Sequence, residues 1–342
     1  MNLDFLKLDA TQRTRAINEA AVRRALDPVI MEKDFWVCWM LDVLFQSSFA
    51  DSLVFKGGTS LSKVFGAINR FSEDIDLSVS TEFLELPEPG ASRNQANKWM
   101  KNAEAACAEA ARNKFLPELE QLIAQPLDLL KDQPDQQWLE FVVDSASNSP
   151  VILFHYPTTQ PSGFEYLKRS VKLELGSLTE QRPIGKHPIR PWLADEFPQV
   201  FPHWSCEVVA LEIERSFWEK ATILHVEHHR PTDTPTPDRY SRHYADTAAL
   251  AKHVDGQRAI TLSEVRQRVV NWKARFFGSS WARYDLAVPG TFRLLPAEDR
   301  VGALRADYQA MRDMYLSEPP TFEDILSQLA AMETQINHGG TR

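Results

Sequence analysis

The sequence predicts an α/β protein, with a mixed sheet in residues 1–205 and a mainly helical C-terminal domain in residues 206–342. Two patterns support this fold class. In the first part, short apolar runs typical of strands alternate with segments of helical spacing. After one strand-like piece at Glu207, the rest of the chain shows helical spacing. The length of 342 residues agrees with two or three domains, or one large one.

The elements of the first domain follow from local patterns. Helices are predicted at 11–27 and 28–48, and the second opens with Asp27-Pro28 as N-cap and first-turn residue. A long helix is predicted over 92–124. Strands of a single sheet are predicted at 53–55, 75–79, 138–144, 151–156 and 166–175.

Residues 176–205 are rich in proline and glycine and predict a loop or a small insertion, so the domain boundary is placed at its end. The second domain then begins with the strand-like piece at Glu207. Its helices are predicted at about 214–229, 240–254, 261–277, 299–316 and 321–337.

Composition and charge exclude several classes of protein. With 43% hydrophobic and 25% charged residues, the chain has the material of a globular core. The net charge of −9 excludes a protein that coats DNA through its overall charge. Three widely spaced cysteines disfavour a disulfide framework or a zinc ribbon. The N-terminus lacks the pattern of a secretory signal, and the longest apolar stretch is too short for a bilayer. We therefore expect a cytoplasmic protein without a membrane partner.

The segment FKGGTSLSKVFGAINRFSEDIDLSV carries the informative chemistry. Gly57 and Gly58 follow a predicted strand and permit a tight turn with close approach of the backbone. Thr59 or Ser60 is expected to cap the next helix, whose free N–H groups face an anion. The pattern predicts a phosphate seat. A Walker-type loop is the rival interpretation, but it needs lysine after the glycines, and here Lys56 precedes them.

Asp74 and Asp76 follow the diglycine at the distance of one helix and flank Ile75 in a predicted strand. Alternate residues of a strand share a face, so both carboxylates project to the same side. Like charges so close favour a hard divalent cation, Mg²⁺ or Mn²⁺, held together with nucleotide phosphates. With two such ions, a site can align an attacking hydroxyl and a leaving pyrophosphate.

Gly-Gly, a helix and then Asp-x-Asp form the signature of the DNA polymerase beta superfold of nucleotidyltransferases, which this sequence resembles. More narrowly, FKGGTSLSK and RFSEDIDL are similar to the AbiEii/AbiGii-type toxins of abortive-infection and type IV toxin–antitoxin systems. The similarity continues in ERSFWEKATILH and RYSRHYADTAAL, so its motifs are spread over most of residues 30–250.

The resemblance implies transfer of a nucleoside monophosphate from an NTP to a hydroxyl acceptor, an RNA such as a tRNA end. It also implies a separate antitoxin as partner, and a C-terminal domain that closes one wall of the nucleotide cleft.

That superfold implies a third carboxylate on a neighbouring strand, as metal ligand or as base. Glu174 is the first choice, because Lys172 and Glu174 alternate with apolar residues and share one face of a predicted strand. Asp144 is the second choice. The alternative is that Lys172 and Glu174 form the wet side of an edge strand.

The resemblance further implies that Lys220 contacts the triphosphate. Arg242 and Asp246 match the family pattern, whereas His243 stands where the first acid of that pattern is usual. Asp246 lies one helical turn from Arg242 and is expected to orient Lys220 or Arg242. The alternative for Lys220 is ordinary solvated surface, and the alternative for Asp246 is a simple surface pair with Arg242.

Three polar residues near these motifs are predicted phosphate neighbours, namely Lys56, Lys63 and Ser72. The run Glu32–Asp34 is a brace for the nucleotide cleft, or a salt bridge at a helix start. A basic run is an RNA contact or a solvated loop, and consists of Arg182, Lys186, His187 and Arg190.

Two other functions stay open at this point. The same chemistry can modify a small molecule such as an antibiotic, and the fold can bind nucleotides or proteins without turnover. The acidic net charge is compatible with an RNA or a small acceptor, so it does not decide between them.

Overall fold

The computed structural model describes residues 3–130, 136–145, 149–160 and 168–338. The chain forms two compact units. The first contains the chain up to Val64, Ser72–Gly90 and Lys98–Ala210, and the second contains Phe65–Phe71, Ala91–Asn97 and the chain from Leu211 onward. Within the described ranges, no helix is both long and apolar enough to cross a membrane.

Seven strands of the described chain form one mixed sheet in the order β3-β4-β5-β2-β1-β7-β6. Strand β2 pairs antiparallel with β1 and parallel with β5, and β1 pairs parallel with β7. The predicted α/β fold with a mixed sheet is therefore confirmed. The strands are β1 Leu53–Lys56, β2 Ile75–Val79, β3 Leu139–Val143, β4 Pro150–Phe154, β5 Val171–Gly176, β6 Ile184–Ile189 and β7 Cys206–Leu211.

The stretch 176–205, predicted as a loop or a small insertion, is not a plain loop, because it contains β6 and the short helix α6, Trp192–Glu196. Strand β6 lies at the edge of the sheet, and five of its six residues are exposed or half-exposed, so it lacks the apolar alternation of an inner strand. It also contains Pro188, which an edge strand tolerates. The strand predicted over 166–175 begins at Val171, and residues 166–167 lie outside the described residues.

Helix α2 is the centre of the hydrophobic core beside the sheet. Asp27 accepts a hydrogen bond from the Val29 N–H at 2.8 Å, and Pro28 occupies the first turn, which confirms the predicted start. All residues from Met31 to Leu44 are buried. The other helices up to residue 127 are α1 Ala10–Arg24, α3 Gly57–Lys63, α4 Arg93–Ala110 and α5 Leu116–Leu127, with a π-helical turn at Ala111–Phe115 between the last two.

The second unit is helical, as predicted. Its helices are α7 Ile213–His228, α8 Ser241–Lys252, α9 Val254–Thr261, α10 Ser263–Phe276, α11 Val301–Ala310 and α12 Phe322–His338. Helix α9 was not predicted as a separate element. It is only eight residues long and follows α8 directly, with the His253 side chain accepting a bond from the Asp255 N–H as its cap.

Candidate active site

The turn between β1 and α3 touches the Asp76 carboxylate. Gly57 has a positive φ of 80°, a conformation that favours glycine. A Cβ atom built on Gly57 would lie 1.9 Å from Asp76 Oδ2, far inside any tolerated contact. Lys56, the last residue of β1, faces Asp76 across the antiparallel pair. The diglycine turn and the second acid of Asp-x-Asp therefore lie side by side.

The hydroxyl groups after the diglycine differ from the prediction. Helix α3 begins at Gly57 with Lys56 as N-cap, and no side chain caps it, so neither Thr59 nor Ser60 has the expected capping role. Thr59 Oγ1 instead donates to the Asp74 carbonyl at 2.5 Å and lies 2.9 Å from Ser72 Oγ. Thr59 is fully buried. Its two contacts hold the residues that lead into β2 against α3.

Three carboxylates share one face of the two neighbouring strands β2 and β5. Asp76 is the direct partner of Glu174 in the parallel register, and Ile75 is the partner of Leu173. Ile75 and Leu173 are fully buried, so the residues alternating with them face the other side of the sheet. Asp74, two residues before Asp76, lies on that same side. The structure thus brings together the acids that the sequence singled out.

Lys172 links the two residues considered for the third carboxylate. Its Nζ lies 2.8 Å from Glu174 Oε2 and 3.1 Å from Asp144 Oδ2. All three side chains are about one quarter exposed. Glu174 therefore lies at the predicted strand position with a cation already beside it.

The Asp74 carboxyl is held in an environment that disfavours its charge. Burial raises the pKa of Asp74, and repulsion by Glu73 raises it further, while Lys172 and Lys33 act in the opposite direction. A divalent cation would relieve this cost, and carboxylate oxygens are the donors that Mg²⁺ and Mn²⁺ prefer. The donor chemistry of Asp74 and Asp76 therefore fits such an ion.

The described residues contain no group of three or more His, Cys, Asp or Glu side chains arranged to hold a metal ion. One oxygen of Glu174 is occupied by Lys172. The predicted metal role of Asp74, Asp76 and Glu174 therefore stays a prediction, with Asp74 and Asp76 as its better-suited members.

The run Glu32–Asp34 is buried in the first unit, and each residue has its own partners. Glu32 accepts bonds from the Thr158 hydroxyl and from Thr159. Lys33 forms an ion pair with Glu73. Lys33 thereby neutralises the acid next to Asp74.

The Lys63 ammonium group has its own partners, on α2 and α6. Its Nζ forms a buried ion pair with Asp34 at 2.6 Å and lies 4.5 Å from the centre of the Trp192 ring. Asp34 also accepts a hydrogen bond from the Trp192 N–H at 2.7 Å. This ion pair joins α3 to α2 and α6, so its contacts are structural.

The second unit contains a separate cluster of charges around Asp246 on α8. Lys220 Nζ on α7 lies 2.8 Å from Asp246 Oδ2. Arg70 contacts both oxygens, through Nε to Oδ1 and through Nη2 to Oδ2, each at 2.9 Å. Burial alone would raise the pKa of Asp246, but the two cations hold it well below its usual range. Asp246 and Lys220 are thus paired, as the sequence suggested.

Sequence reasoning missed Arg70. Its signal was an arginine inside RFSEDIDL, four residues before Asp74.

Arg242 lies exposed on α8, one turn before Asp246. Next to it, burial and the charges of Lys220 and Arg242 lower the pKa of His243 well below its usual value, so this histidine is neutral at pH 7.

The basic run lies on and around β6, where acids accompany two of its members. Lys186 Nζ lies 3.4 Å from Glu207, and Arg190 Nε lies 3.2 Å from Asp195. A contact of this run with RNA stays a prediction.

Known proteins are similar to this chain. The sequence model of a family described as "Nucleotidyl transferase AbiEii toxin, Type IV TA system" matches residues 39–328. Among solved structures, the chain is similar to MenT4, a nucleotidyltransferase toxin from Mycobacterium tuberculosis, with 16% identity and a TM-score of 0.41 over 97% of this chain and 88% of that one. No curated protein matches the chain. Because the family match spans most of its length, the chain belongs to the AbiEii family of nucleotidyltransferase toxins of type IV toxin–antitoxin systems.

Proposed function

We propose that the protein transfers a nucleoside monophosphate from an NTP to a hydroxyl group of RNA, such as a tRNA end, with a divalent cation bound. The observation that carries this proposal is the contact between the diglycine turn and Asp76, beside Asp74 and Glu174 on the same sheet face. In this proposal the backbone of Gly57 to Ser60 receives the triphosphate, and Lys56 and Ser72 are its neighbours. A cognate antitoxin restrains the resulting growth arrest.

The proposed reaction is a displacement at phosphorus. The acceptor oxygen forms a bond to the α-phosphorus, and the bond from the α-phosphorus to the oxygen bridging to the β-phosphorus breaks. Pyrophosphate leaves with that electron pair, and the hydroxyl proton passes to a carboxylate, for which Glu174 is the candidate. A divalent cation held by Asp74 and Asp76 would supply Lewis-acid stabilisation of the phosphate oxygens.

The residues of the chain have distinct tasks in this scheme. The backbone N–H groups that follow Gly57 bind phosphate oxygens, because glycine lets a ligand approach the main chain closely. Lys172 screens the acids from one another, which permits a negatively charged substrate to enter. Lys220, with help from Arg242, neutralises the charge that builds on the leaving pyrophosphate.

The test is a transfer assay with purified protein. Each of the four labelled NTPs is incubated with the protein, Mg²⁺ or Mn²⁺, and total RNA or purified tRNA. Label on RNA together with release of pyrophosphate supports the proposal. Label on a small acceptor alone would assign the same chemistry to another substrate, and NTP binding without pyrophosphate release would contradict catalysis.

The antitoxin is tested separately. Co-expression of the toxin with the product of a neighbouring reading frame is expected to restore growth and to suppress RNA labelling in the same cells. Growth arrest that persists in the Asp76→Ala variant would contradict nucleotide transfer as its cause.

A further inference from the structure

Arg70 makes the most specific contact of the charge cluster in the second unit. Its guanidinium engages both oxygens of Asp246 at 2.9 Å, the fork geometry that favours arginine over lysine. Both side chains are buried, with 5% of Arg70 and 2% of Asp246 exposed. A charge buried to this extent is costly unless it is paired, so the bond is strongly specified.

Lys220 is the member of the cluster that reaches the surface. Its side chain is 14% exposed, several times more than Asp246, and its Nζ bonds to the same Oδ2 that Arg70 contacts. A lysine ammonium sits on a flexible stem and has no preferred plane. The direction of Lys220 is therefore set by the carboxylate that holds it.

Arg70 itself is fixed by the main chain on both sides. The Phe71 N–H donates to the Met314 carbonyl at 2.7 Å, and the Leu316 N–H donates to the Asn69 carbonyl at 3.3 Å. Arg70 and Tyr315 face each other in this short antiparallel pairing. The guanidinium is thus presented to Asp246 from a backbone that is bonded within the second unit.

We propose that Arg70 is a positioning residue for Lys220, acting through Asp246. Because Arg70 occupies both oxygens, the Asp246 carboxylate cannot rotate without breaking a charge-assisted bond, and the Lys220 ammonium is held at one point. Arg70 and Lys220 thus share the Asp246 carboxylate. The proposal rests on the proposed contact of Lys220 with the triphosphate.

A purely structural Arg70 would also be buried and would also destabilise the protein when removed. The two roles differ in their dependence on Lys220. If Arg70 acts through Lys220, its loss costs little once Lys220 is gone, whereas a structural role costs the same in both backgrounds.

The experiment is a double-mutant cycle on the full chain, with Arg70→Gln, Lys220→Ala and their combination. Steady-state transfer to RNA gives kcat and KM for the NTP, and thermal unfolding gives Tm for each variant. We expect Arg70→Gln to lower kcat/KM by about 10- to 100-fold, as for other residues that orient a catalytic group. In the Lys220→Ala background it should cost no more than about twofold. Arg70→Lys keeps the charge without the fork and should recover part of the loss.

The matched control is Arg230→Gln, which removes another arginine ion pair of the second unit. Arg230 Nε lies 2.6 Å from the fully buried Glu227. This variant should lower Tm while leaving kcat/KM within about twofold of the wild type.

Three results would overturn the proposal. Equal losses from Arg70→Gln with and without Lys220 would make Arg70 structural. An Arg230→Gln variant as inactive as Arg70→Gln would show that any damage to the unit stops transfer. Full transfer by Lys220→Ala would remove the role of Lys220 itself, and this failure of the proposed function is visible independently of Arg70.

Discussion

The two units of the protein hold charge clusters of opposite excess. In the first, Asp74, Asp76 and Glu174 lie on one face of the sheet beside Lys172, and burial raises the pKa of Asp74. In the second, two cations share Asp246, whose pKa is lowered. On charge alone, we expect the first cluster to attract a cation and the second an anion.

The largest expected effect concerns the acidic cluster. Asp76→Ala should lower transfer by about 1000-fold or more, because it removes charge from the site where the reacting phosphates are stabilised. The fold should persist, since no core volume is lost. Transfer is measured by labelled NTP incorporation into RNA, with the exposed Glu82→Ala as control. Wild-type turnover in Asp76→Ala would remove this cluster from the mechanism.

Asp246→Asn tests the basic cluster by its stability. The buried Arg70 and the half-buried Lys220 lose their counter-charge, so the free energy of unfolding should fall by about 3–5 kcal/mol. The pKa of Asp246 is lower in the folded state than its unfolded value of 3.8. The ionised carboxylate therefore contributes its full stabilisation above pH 3.8, and this stabilisation is lost only as pH falls through the folded-state pKa.

Urea denaturation at pH 7 and pH 5 should therefore give the same deficit for Asp246→Asn. The control is Asp285→Asn, which removes an exposed Asp–Arg pair of the same unit and should leave the free energy of unfolding nearly unchanged. A deficit that disappears at pH 5 would show that Asp246 is not held ionised by its two cations.

Gly57→Ala sharpens the comparison by disturbing the acidic cluster without removing an acid. The added methyl group would strike Asp76 Oδ2, and the carboxylate must move. We expect transfer to fall by about 100-fold, comparable to the loss of an electrostatic contact in the transition state. The matched control is Gly66→Ala, where φ is also positive at 59° but no atom lies within 4 Å.

Both variants share the strain of a left-handed alanine, about 1–2 kcal/mol. Differences in transfer therefore report the collision with Asp76, and Tm reports the strain. If Gly66→Ala lost as much transfer as Gly57→Ala, backbone strain alone would be the cause.

The smallest effect is a gain in stability for Asp74→Asn. The raised pKa of Asp74 means that its ionised form costs stability, a cost that grows as pH rises through the folded value and vanishes below pH 3.8. The variant should raise Tm at pH 7 by about 2 °C and by less at about pH 3.5, below the unfolded pKa, while losing transfer. Differential scanning calorimetry measures Tm at both pH values, and incorporation of labelled NTP measures transfer, with the exposed Asp51→Asn as control. A lower Tm at pH 7 would contradict the environment assigned to Asp74.

The sequence predicted those parts of the fold that depend on local patterns. The start of α2 was readable because Asp27 and Pro28 act within one turn. The strand around Ile75 was readable because alternation continues through five residues. Strand β6 was not, since an edge strand is partly solvated and gives no apolar period.

The same reasoning explains what was found and missed in the candidate site. Glu174 was found because the resemblance implies a third carboxylate on a neighbouring strand and because Glu174 alternates with apolar residues, and the structure pairs it with Asp76. The bond from Arg70 to Asp246 joins residues 176 positions apart, and no spacing along the chain predicts it. Lys63 was expected near phosphate from its place in a motif, but a buried acid on another helix holds its ammonium group. Side-chain partners across such distances depend on packing, which periodicity does not encode.

The backbone passes between the two units five times, after Val64, Phe71, Gly90, Asn97 and Ala210. Such threading makes the halves inseparable as gene fragments. A truncation at any one crossing strips at least one piece from its partner, so neither half is a portable module for domain exchange. Two co-expressed halves would complement each other only if the short crossing segments packed again in the unit to which they belong. Selection on this toxin therefore acts on one indivisible polypeptide.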